Sequence, residues 1–298
     1  MPWSGVLPEM FVKATDGIRN CILKLDEESY IIGDSTHNTL SAVRSFGEGK
    51  VPFTLILVCQ QDNCYVRYSK YLRHGNLYVI SELDECTVVL RQLAAEKGQL
   101  LMTTFDAAAE WVDAREPQLS KLFLTPCRGK QLGVLFNKEA QCKLAKECGL
   151  IVPHSIVYHR GERIPEDLLY PVITKPLVSS KGEKSDIHIC HSENQLADAL
   201  RQESYSEYLI IQEFVKKEYE IDAVGVSTER GVVMGGAIHK YRHWPRLVGA
   251  GAFGVFEHIN QFNVDIAAIN RFIKKSGYHG PFSVEFLHTK EGKTIYGG

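Results

Sequence analysis

The sequence predicts two domains of different class: an α/β domain over residues 1–125 and an α+β domain over residues 126–298. Before residue 125, short apolar runs alternate with amphipathic helical segments, which is typical of a parallel sheet covered by helices. After residue 125, apolar runs follow one another through turn sequences, as in antiparallel hairpins. The chain has 298 residues and an apolar fraction of 44%, enough for two hydrophobic cores.

In the first domain, strands and helices are predicted to alternate as in a Rossmann-like unit. The predicted strands are 30–33, 53–59, 77–80 and 100–103, and the predicted helices are a segment around Leu40, Val43 and Phe46, then 83–97 and 105–115. The first strand is followed by Gly33-Asp34-Ser35-Thr36, without the three glycines of a dinucleotide-binding turn. We therefore expect no dinucleotide site here, and we expect Asp34 and Ser35 to cap the next helix.

In the second domain, a helix is predicted to begin at Asn137-Lys138 and to end at Gly149. The further predicted elements are strands 155–158, 172–175, 186–190, 209–212, 218–226 and 231–239, helices 193–201 and 266–275, and a closing hairpin of 282–287 with 294–296. The glycine-rich stretch 249–254 is expected to precede one more strand. These elements predict two sheets with helices packed on them.

Charge and cysteine content exclude several classes of protein. A net charge of −2 and a pI near 6.6 imply no general attraction to nucleic acid or anionic membranes. We find no apolar run of membrane-spanning length and no signal-peptide pattern. The 8 cysteines are scattered, and no two have the spacing of a zinc or redox motif. We therefore expect reduced, packing cysteines in a cytoplasmic protein.

Lys175 stands at the end of an apolar strand and faces a small polar loop. In one interpretation the lysine extends its ammonium group to solvent and the loop is a solvated turn. In the other, Lys175 is a fixed positive charge in a cleft, and the loop closes over phosphate through its amides and ammonium groups. The loop residues concerned are Ser179, Ser180, Lys181 and Gly182.

Three further features favour the phosphate interpretation. The apolar segment 210–215 is interrupted by a polar pair, which suits an adenine ring held by apolar side chains and read by main-chain groups. Glu218 and Glu220 alternate along a strand and share one face, where a carboxylate can accept from both ribose hydroxyls. Glu285 lies in the apolar run Phe-Ser-Val-Glu-Phe, so its carboxylate is expected to meet a cation or a metal.

In this order, the residues resemble the ATP-grasp superfamily from about residue 28 to the end. The resemblance implies that ATP and Mg²⁺ are the cofactors and that the N-terminal domain is the α/β domain preceding the grasp. It implies these roles: Lys138 and Lys175 on the phosphates, Ser179, Ser180, Lys181 and Gly182 in the phosphate-covering loop, Gln212, Glu213, Phe214 and Val215 around adenine, Glu218 (or Glu220) on the ribose, and Glu285 on the metal.

Within the superfamily, the details are similar to carboxylate–amine ligases of the D-aspartate-ligase and carbamoyl-phosphate-synthase-like kind. This similarity implies phosphoryl transfer from ATP to a carboxylate, followed by displacement of phosphate by an amine. Lys240, Arg242 and Arg246 are then candidates for binding the acyl phosphate and the substrate carboxylate. A basic surface hairpin is the alternative for these residues. His239 and His243 are candidate bases, with a structural role as the alternative.

The expected partners are a small-molecule carboxylate and an amine, with amino acids among the candidates. We expect no nucleic-acid or membrane partner, and a homodimer is an open alternative. Two other functions also stay open at this point. One is a nucleotide-binding regulatory protein or subunit without turnover, and the other is an ATP-grasp carboxylase that uses bicarbonate.

One departure from the family concerns the metal site. The family places a second metal carboxylate and an asparagine on the strand after Glu285, followed by an arginine. Here that strand runs from Lys293 through Tyr296 to Gly297-Gly298 without an acidic residue. The sequence therefore suggests either an incompletely represented enzyme or a member that has lost part of its metal site.

We predict that residues 1–298 bind ATP with modest Mg²⁺ dependence but turn over slowly or not at all, because incomplete metal ligation leaves transition-state charge unneutralised. A chain extended past Gly298 should recover activity by supplying an acidic residue and an asparagine. Calorimetry of ATP binding with and without Mg²⁺, beside a phosphate-release assay on both chains, tests this. Full turnover by the 298-residue chain would contradict the metal-site assignment.

Overall fold

The structure is a computed structural model in which the chain folds into two compact units, Met1–Thr125 and Pro126–Gly298. It describes residues 28–60, 64–73, 75–93, 98–126, 132–178, 187–202, 206–244 and 250–298. The boundary between the units coincides with the predicted change from parallel to antiparallel structure.

The first unit contains a parallel sheet of five strands. They are β1 (Ser29–Gly33), β2 (Phe53–Val58), β3 (Leu77–Ile80), β4 (Gln99–Thr103) and β5 (Phe123–Leu124). Their order in the sheet is β3-β2-β1-β4-β5, so β1 is central and all five of its residues are buried. Side chains of β1 alternate between two cores: Tyr30 and Ile32 pack into one, and Ile31 packs into the other. Burial on both faces explains the continuous apolar runs of this sheet.

The helices of the first unit follow its strands. They are α1 (His37–Gly49), α2 (Cys86–Leu93), α3 (Asp106–Ala114) and α4 (Glu116–Leu119). The predicted helix 83–97 begins as a 3₁₀ turn, Leu83–Glu85, and its residues 94–97 lie outside the described part of the chain.

The start of α1 differs from its predicted form. Thr36, rather than Asp34 or Ser35, occupies the N-cap position. The Asp34 carboxylate instead accepts hydrogen bonds from the hydroxyls of Thr36 and Thr39 at 2.6 and 3.0 Å. Gly33 makes this close approach possible, because a Cβ atom at that position would lie 2.3 Å from Thr39 Cγ2.

The expectation of reduced, packing cysteines is corrected at one pair. Cys59, the residue after β2, and Cys64, the residue before the 3₁₀ turn Tyr65–Tyr68, form a disulfide. Four other cysteines are free thiols, three of them buried in the cores: Cys86, Cys142, Cys148 and Cys190. Cys21 and Cys127 lie outside the described residues.

The second unit contains two antiparallel sheets. The four-stranded sheet, in the order β6-β9-β7-β8, consists of β6 (Ser155–His159), β7 (Val172–Pro176), β8 (His188–Cys190) and β9 (Tyr208–Glu213). The five-stranded sheet, in the order β12-β11-β10-β13-β14, consists of β10 (Lys217–Thr228), β11 (Gly231–Trp244), β12 (Ala250–Glu257), β13 (Gly280–Thr289) and β14 (Thr294–Tyr296). Strand β10 is therefore central in the larger sheet.

The helices of the second unit are α5 (Leu132–Phe136), α6 (Lys138–Glu147), α7 (Glu193–Arg201) and α8 (Ile266–Ser276). The last three begin at polar N-cap residues whose side chains accept a backbone N–H of the first turn: Asn137, Ser192 and Asp265. Helix α8 ends at Gly277, whose φ of 69° is a left-handed conformation that favours glycine.

Each sheet buries one face against helices. Helix α7 covers the four-stranded sheet, where Leu196 packs in one cluster with Val172 and Ile211. Helices α6 and α8 cover the five-stranded sheet, and they pack against side chains at alternate positions of β10 and β13. The opposite faces of both sheets are left to carry polar side chains.

The prediction of a mixed α/β chain, parallel first and antiparallel afterwards, is confirmed. The glycine-rich stretch 249–254 was expected to precede a strand, but residues 250–254 form part of strand β12 itself. Glycine is needed there for close packing, since a Cβ atom at Gly254 would lie 2.8 Å from Ile238 Cγ2. Across the part of the chain that the structure describes, no helix combines the length and apolarity that a membrane span requires.

Leu196→Ala should destabilise the protein by about 2–5 kcal/mol, because Leu196 is 0% exposed in the core under α7 and its truncation leaves a cavity. Leu169→Ala is the matched control, since Leu169 is 85% exposed and should change stability by less than about 0.5 kcal/mol. Equilibrium unfolding in urea measures both. Equal losses would contradict the assignment of this core.

Candidate active site

The face of the four-stranded sheet opposite α7 carries polar side chains among buried apolar ones. On β7 and β9, Ile173 pairs with Gln212 and Lys175 pairs with Ile210, so these four side chains share the face away from the helix. Lys175 Nζ donates a hydrogen bond to Gln212 Oε1 at 3.1 Å. The apolar side chains of Ile173 and Ile210 lie on the same face as this pair.

Burial lowers the pKa of Lys175, while the negative charges of Glu285 and Glu220 act in the opposite direction; the net shift is downward. Glu285 and Glu220 belong to the five-stranded sheet. Charges interact in this way only at short range, so the Lys175 side of the four-stranded sheet and the Glu220 and Glu285 side of the five-stranded sheet form one candidate site, which we name the cleft.

The five-stranded sheet contributes three carboxylates, Glu220, Asp222 and Glu285, which we name the carboxylate triad. Glu220 and Asp222 alternate along β10, and Asp222 lies directly opposite Glu285 on β13. One ligand oxygen of each lies within 4.8 Å of those of the others. Three hard oxygen donors at this separation suit a divalent cation such as Mg²⁺. The sequence predicted Glu285 as a metal ligand, but it did not predict that Asp222 would join it.

Lys240 of β11 places its ammonium group among all three carboxylates. Its Nζ lies 2.6 Å from Glu220 Oε1 and 2.9 Å from both Asp222 Oδ1 and Glu285 Oε2. The register explains this position, because Lys240 is the direct partner of Glu220 across the β10–β11 pair. Lys240, which the sequence suggested as a ligand of the acyl phosphate and the substrate carboxylate, here contacts carboxylates of the protein.

Two further groups surround Glu220, which is 4% exposed. Lys217 Nζ forms an ion pair with Glu220 Oε2, and His243 Nε2 lies 3.1 Å from the same oxygen. The site therefore consists of alternating positive and negative groups on one sheet face. The His243 contact does not follow from sequence spacing, since His243 is 23 residues from Glu220.

The carboxyls of the triad have different pKa values. Burial raises the pKa of Glu220, but hydrogen bonds with Glu285, Lys217 and Lys240 lower it to about 2. Burial and the negative charge of Glu220 raise the pKa of Glu285 despite the opposing effect of Lys240. Burial also raises the pKa of Asp222. Within the Glu220–Glu285 pair, Glu285 is the carboxyl that takes a proton more easily.

Lys138 lies at the first position of α6, at the edge of the cleft. Its backbone N–H donates to Leu177 O at 2.9 Å, and Asn137 forms a bridge with Val178, so the helix start is joined to the end of β7. Burial raises the pKa of the Cys142 thiol, which the nearby charges of Lys175 and Lys138 oppose. Lys138 and Lys175 therefore lie near the same side chain of α6.

The predicted adenine segment continues from β9. After Gln212, Glu213 is exposed, Phe214 is half-buried and Val215 is buried. The Phe214 N–H donates to Pro171 O at 3.0 Å, and the Glu213 N–H donates to His154 O at 2.8 Å. These bonds fix the backbone of the segment. Gln212, Glu213 and Phe214 also border a cavity of 490 Å³ that includes Leu168 and Tyr170.

The remaining predicted residues are placed differently. Glu218 is exposed and lies at a register shift between Lys217 and Tyr219. Arg242 is exposed on β11, and the structure does not bring it to the triad. His239 contacts the rings of Tyr219, Tyr241 and Phe262, which favours its structural alternative. Outside the described residues lie Ser179, Ser180, Lys181, Gly182 and Arg246.

Comparison with known proteins supports the fold at the level of structure. No protein-family model and no curated protein matches the sequence. Among solved structures, an ADP complex of N5-carboxyaminoimidazole ribonucleotide synthetase superposes with a TM-score of 0.64 at 14% identity, over 91% of this chain and 69% of that one. An L-amino acid ligase from Bacillus licheniformis superposes with a TM-score of 0.62 at 16% identity, over 90% of this chain and 65% of that one.

A third similar structure is the biotin carboxylase domain of 2-oxoglutarate carboxylase from Hydrogenobacter thermophilus, in complex with MgADP, ADP and bicarbonate. It has a TM-score of 0.65 at 11% identity, and the match covers 89% of this chain and 62% of that one. The chain thus spans about two thirds of the length of these proteins. All three have the ATP-grasp fold. The chain has the ATP-grasp fold, and the prediction of that fold is confirmed.

The pairing of Glu220 predicts a pH-dependent stability. Because its folded pKa of about 2 lies below the ordinary value of 4.5, the ionised carboxylate stabilises the fold above pH 4.5, and this contribution is lost as the pH falls toward 2. The excess stability of the wild type over Glu220→Gln should fall by about 2 kcal/mol between pH 6 and pH 3.

Urea unfolding in a buffer containing a chelator measures this difference. Glu285→Gln is the control of opposite sign, because a raised pKa makes the contribution of Glu285 largest at low pH and smaller as the pH rises above 4.5. If the excess stability of the wild type over both variants changed with pH in the same direction, the assignment of ionised Glu220 and more readily protonated Glu285 would be wrong.

Proposed function

We propose that the protein is an ATP-dependent carboxylate–amine ligase that forms an amide bond through an acyl phosphate. The observation that supports this most directly is the carboxylate triad with Lys240 among its members, together with Lys175, whose charge interacts with Glu285 and Glu220. Cations for phosphate on one sheet and carboxylates for a metal ion on the other are the groups that phosphoryl transfer requires. The similar structures are ATP-dependent enzymes of the same fold.

In this proposal, residues 126–298 bind the nucleotide, and residues 1–125 form the Rossmann-like domain that precedes the grasp. Lys138 and Lys175 bind phosphate oxygens, helped by the loop of Ser179, Ser180, Lys181 and Gly182. The segment Gln212–Val215 lines the adenine. Glu218 binds the ribose in preference to Glu220, because the oxygens of Glu220 already contact Lys217, Lys240 and His243.

Glu285 is the proposed metal ligand, and its neighbours Glu220 and Asp222 fit the same ion. When bound, Mg²⁺ neutralises charge on the phosphates that is not balanced by the lysines. Lys175 is held by Gln212 on a strand within a half-buried face, so little reorganisation is needed to present its charge. The chain thus supplies positioning and electrostatic stabilisation, which account for most of the catalysis of phosphoryl transfer.

The substrate carboxylate accepts the γ-phosphoryl group, and an amine then displaces phosphate. Lys240 contacts all three carboxylates of the triad and is the proposed partner of the acyl phosphate, with Arg242 as the second candidate. The amine nitrogen must lose a proton as the amide bond forms. His243, beside Glu220, is the proposed proton acceptor.

Bicarbonate is the second candidate substrate, because one similar structure is a biotin carboxylase domain in complex with bicarbonate. Bicarbonate is itself a small carboxylate, so the same phosphates, lysines and metal ligands would serve the first step. Amino acids are the leading candidates, since another similar structure is an L-amino acid ligase. A nucleotide-binding protein without turnover is the remaining alternative.

A phosphate-release screen separates these functions. Holding ATP and Mg²⁺ constant, pairs of amino acids and dipeptides are compared with bicarbonate, each with and without an amine. Phosphate released only when a carboxylate and an amine are both present would support the ligase. Phosphate released with bicarbonate alone would support the carboxylase, and tight ATP binding without release under any condition would contradict both.

Lys175→Met should weaken ATP binding about ten- to over a hundredfold, because it removes one charge-assisted contact worth about 1.5–3 kcal/mol while keeping most of the stem. Lys274→Met is the matched control, since Lys274 is exposed on α8 and lies outside the cleft. Isothermal titration calorimetry gives both dissociation constants. An unchanged constant for Lys175→Met would return Lys175 to the solvent-directed interpretation.

A further inference from the structure

We propose that Lys240 is an internal cation that occupies the metal position of the triad and competes with divalent ions for it. The inference rests on the proposed function, because it assigns the same carboxylates to a metal ion. It adds that the site is not open to the ion alone: Lys240 must leave the triad before an ion can be bound there. Lys240 thereby couples metal binding to the nucleotide.

The contacts of Lys240 carry the inference. Its Nζ is bonded at 2.6, 2.9 and 2.9 Å to one oxygen of each triad member, so a single ammonium group contacts all three. Mg²⁺ binds oxygens at about 2.0–2.1 Å. The ligand oxygens lie within 4.8 Å of one another, and an ion bound by all three would be in contact with Nζ. Two cations cannot share that space, so the ion and the ammonium exclude each other.

The neighbouring strand provides room for the lysine. A Cβ atom at Gly251 of β12 would lie 3.2 Å from Lys240 Cδ, so the stem of Lys240 passes over a position that has no side chain. Gly254, the direct partner of Lys240 across the β11–β12 pair, also lacks a side chain. The stem is therefore not held by side chains at these two positions, and a flexible four-carbon stem can move its charge away from the triad.

The charge of the site gives the coupling its direction. In the absence of nucleotide, Lys240 and Lys217 offset two of the three negative charges of the triad. Replacing the ammonium by a divalent ion adds positive charge to a partly buried site. Nucleotide phosphates add negative charge to the cleft and can also accept the displaced ammonium group. Entry of the ion together with the nucleotide therefore gives the displaced ammonium group a new anionic partner, which entry of the ion alone does not.

The test is Mn²⁺ binding without nucleotide, measured by electron paramagnetic resonance of the free ion. Lys240→Met and Lys240→Gln should each bind Mn²⁺ at least about tenfold more tightly than the wild type, because one competing charge-assisted contact is worth about that factor. Lys240→Arg keeps a cation and should stay close to the wild type. Lys216→Met, an exposed lysine of the same unit, should change binding by less than about twofold.

Unchanged or weaker Mn²⁺ binding by both neutral variants, with circular dichroism like that of the wild type, would overturn the inference. ADP binding in a chelator, measured beside it, reports on the proposed function separately. If the neutral variants do not bind Mn²⁺ more tightly but ADP binds normally, the proposed role of Lys240 is contradicted and the proposed function is not. Tighter Mn²⁺ binding in a chain that does not bind ADP would support the internal cation and contradict the ligase.

Discussion

Three carboxylates can remain side by side on a half-buried sheet face only if positive groups lie among them. Glu220, Asp222 and Glu285 meet this condition through Lys240, whose ammonium contacts all three, and through Lys217. Removing charge from water is costly unless it is paired and hydrogen-bonded. The register of β10, β11 and β13 therefore has to bring these residues into line, and the central position of β10 makes that possible.

The same constraint explains how the two sheets of the second unit are used. Each packs one face against helices and leaves the other for polar groups, so the cleft is lined by the faces that have no helix. The apolar stripes of α6, α7 and α8 thus determine which side chains of β7, β9, β10 and β13 are available for chemistry. Packing and function are specified by alternate residues of the same strands.

Local periodicity was sufficient to predict most of the elements and several site positions. The helices 193–201 and 266–275, the closing hairpin, Lys138 at a helix start and Lys175 at a strand end depend on residues close in sequence. The triad could not be predicted in full, because Asp222 and Glu285 are opposite each other only through strand register. The disulfide of Cys59 with Cys64 was likewise not predicted, because the spacing of these cysteines matches no motif. The start of strand β12 was predicted too late in the sequence, because its glycines serve close packing.

The backbone hydrogen bond from the Lys138 N–H to Leu177 O has a consequence for the selectivity of anion binding. Together with the bridge between Asn137 and Val178, it ties the first residue of α6 to the chain only two residues beyond Lys175. Main-chain hydrogen bonds therefore set the distance between the Cα atoms of Lys138 and Lys175, whichever rotamers the two side chains adopt. A ligand that binds both lysines must carry its negative groups at a matching spacing. The backbone therefore contributes to discrimination between longer and shorter anions.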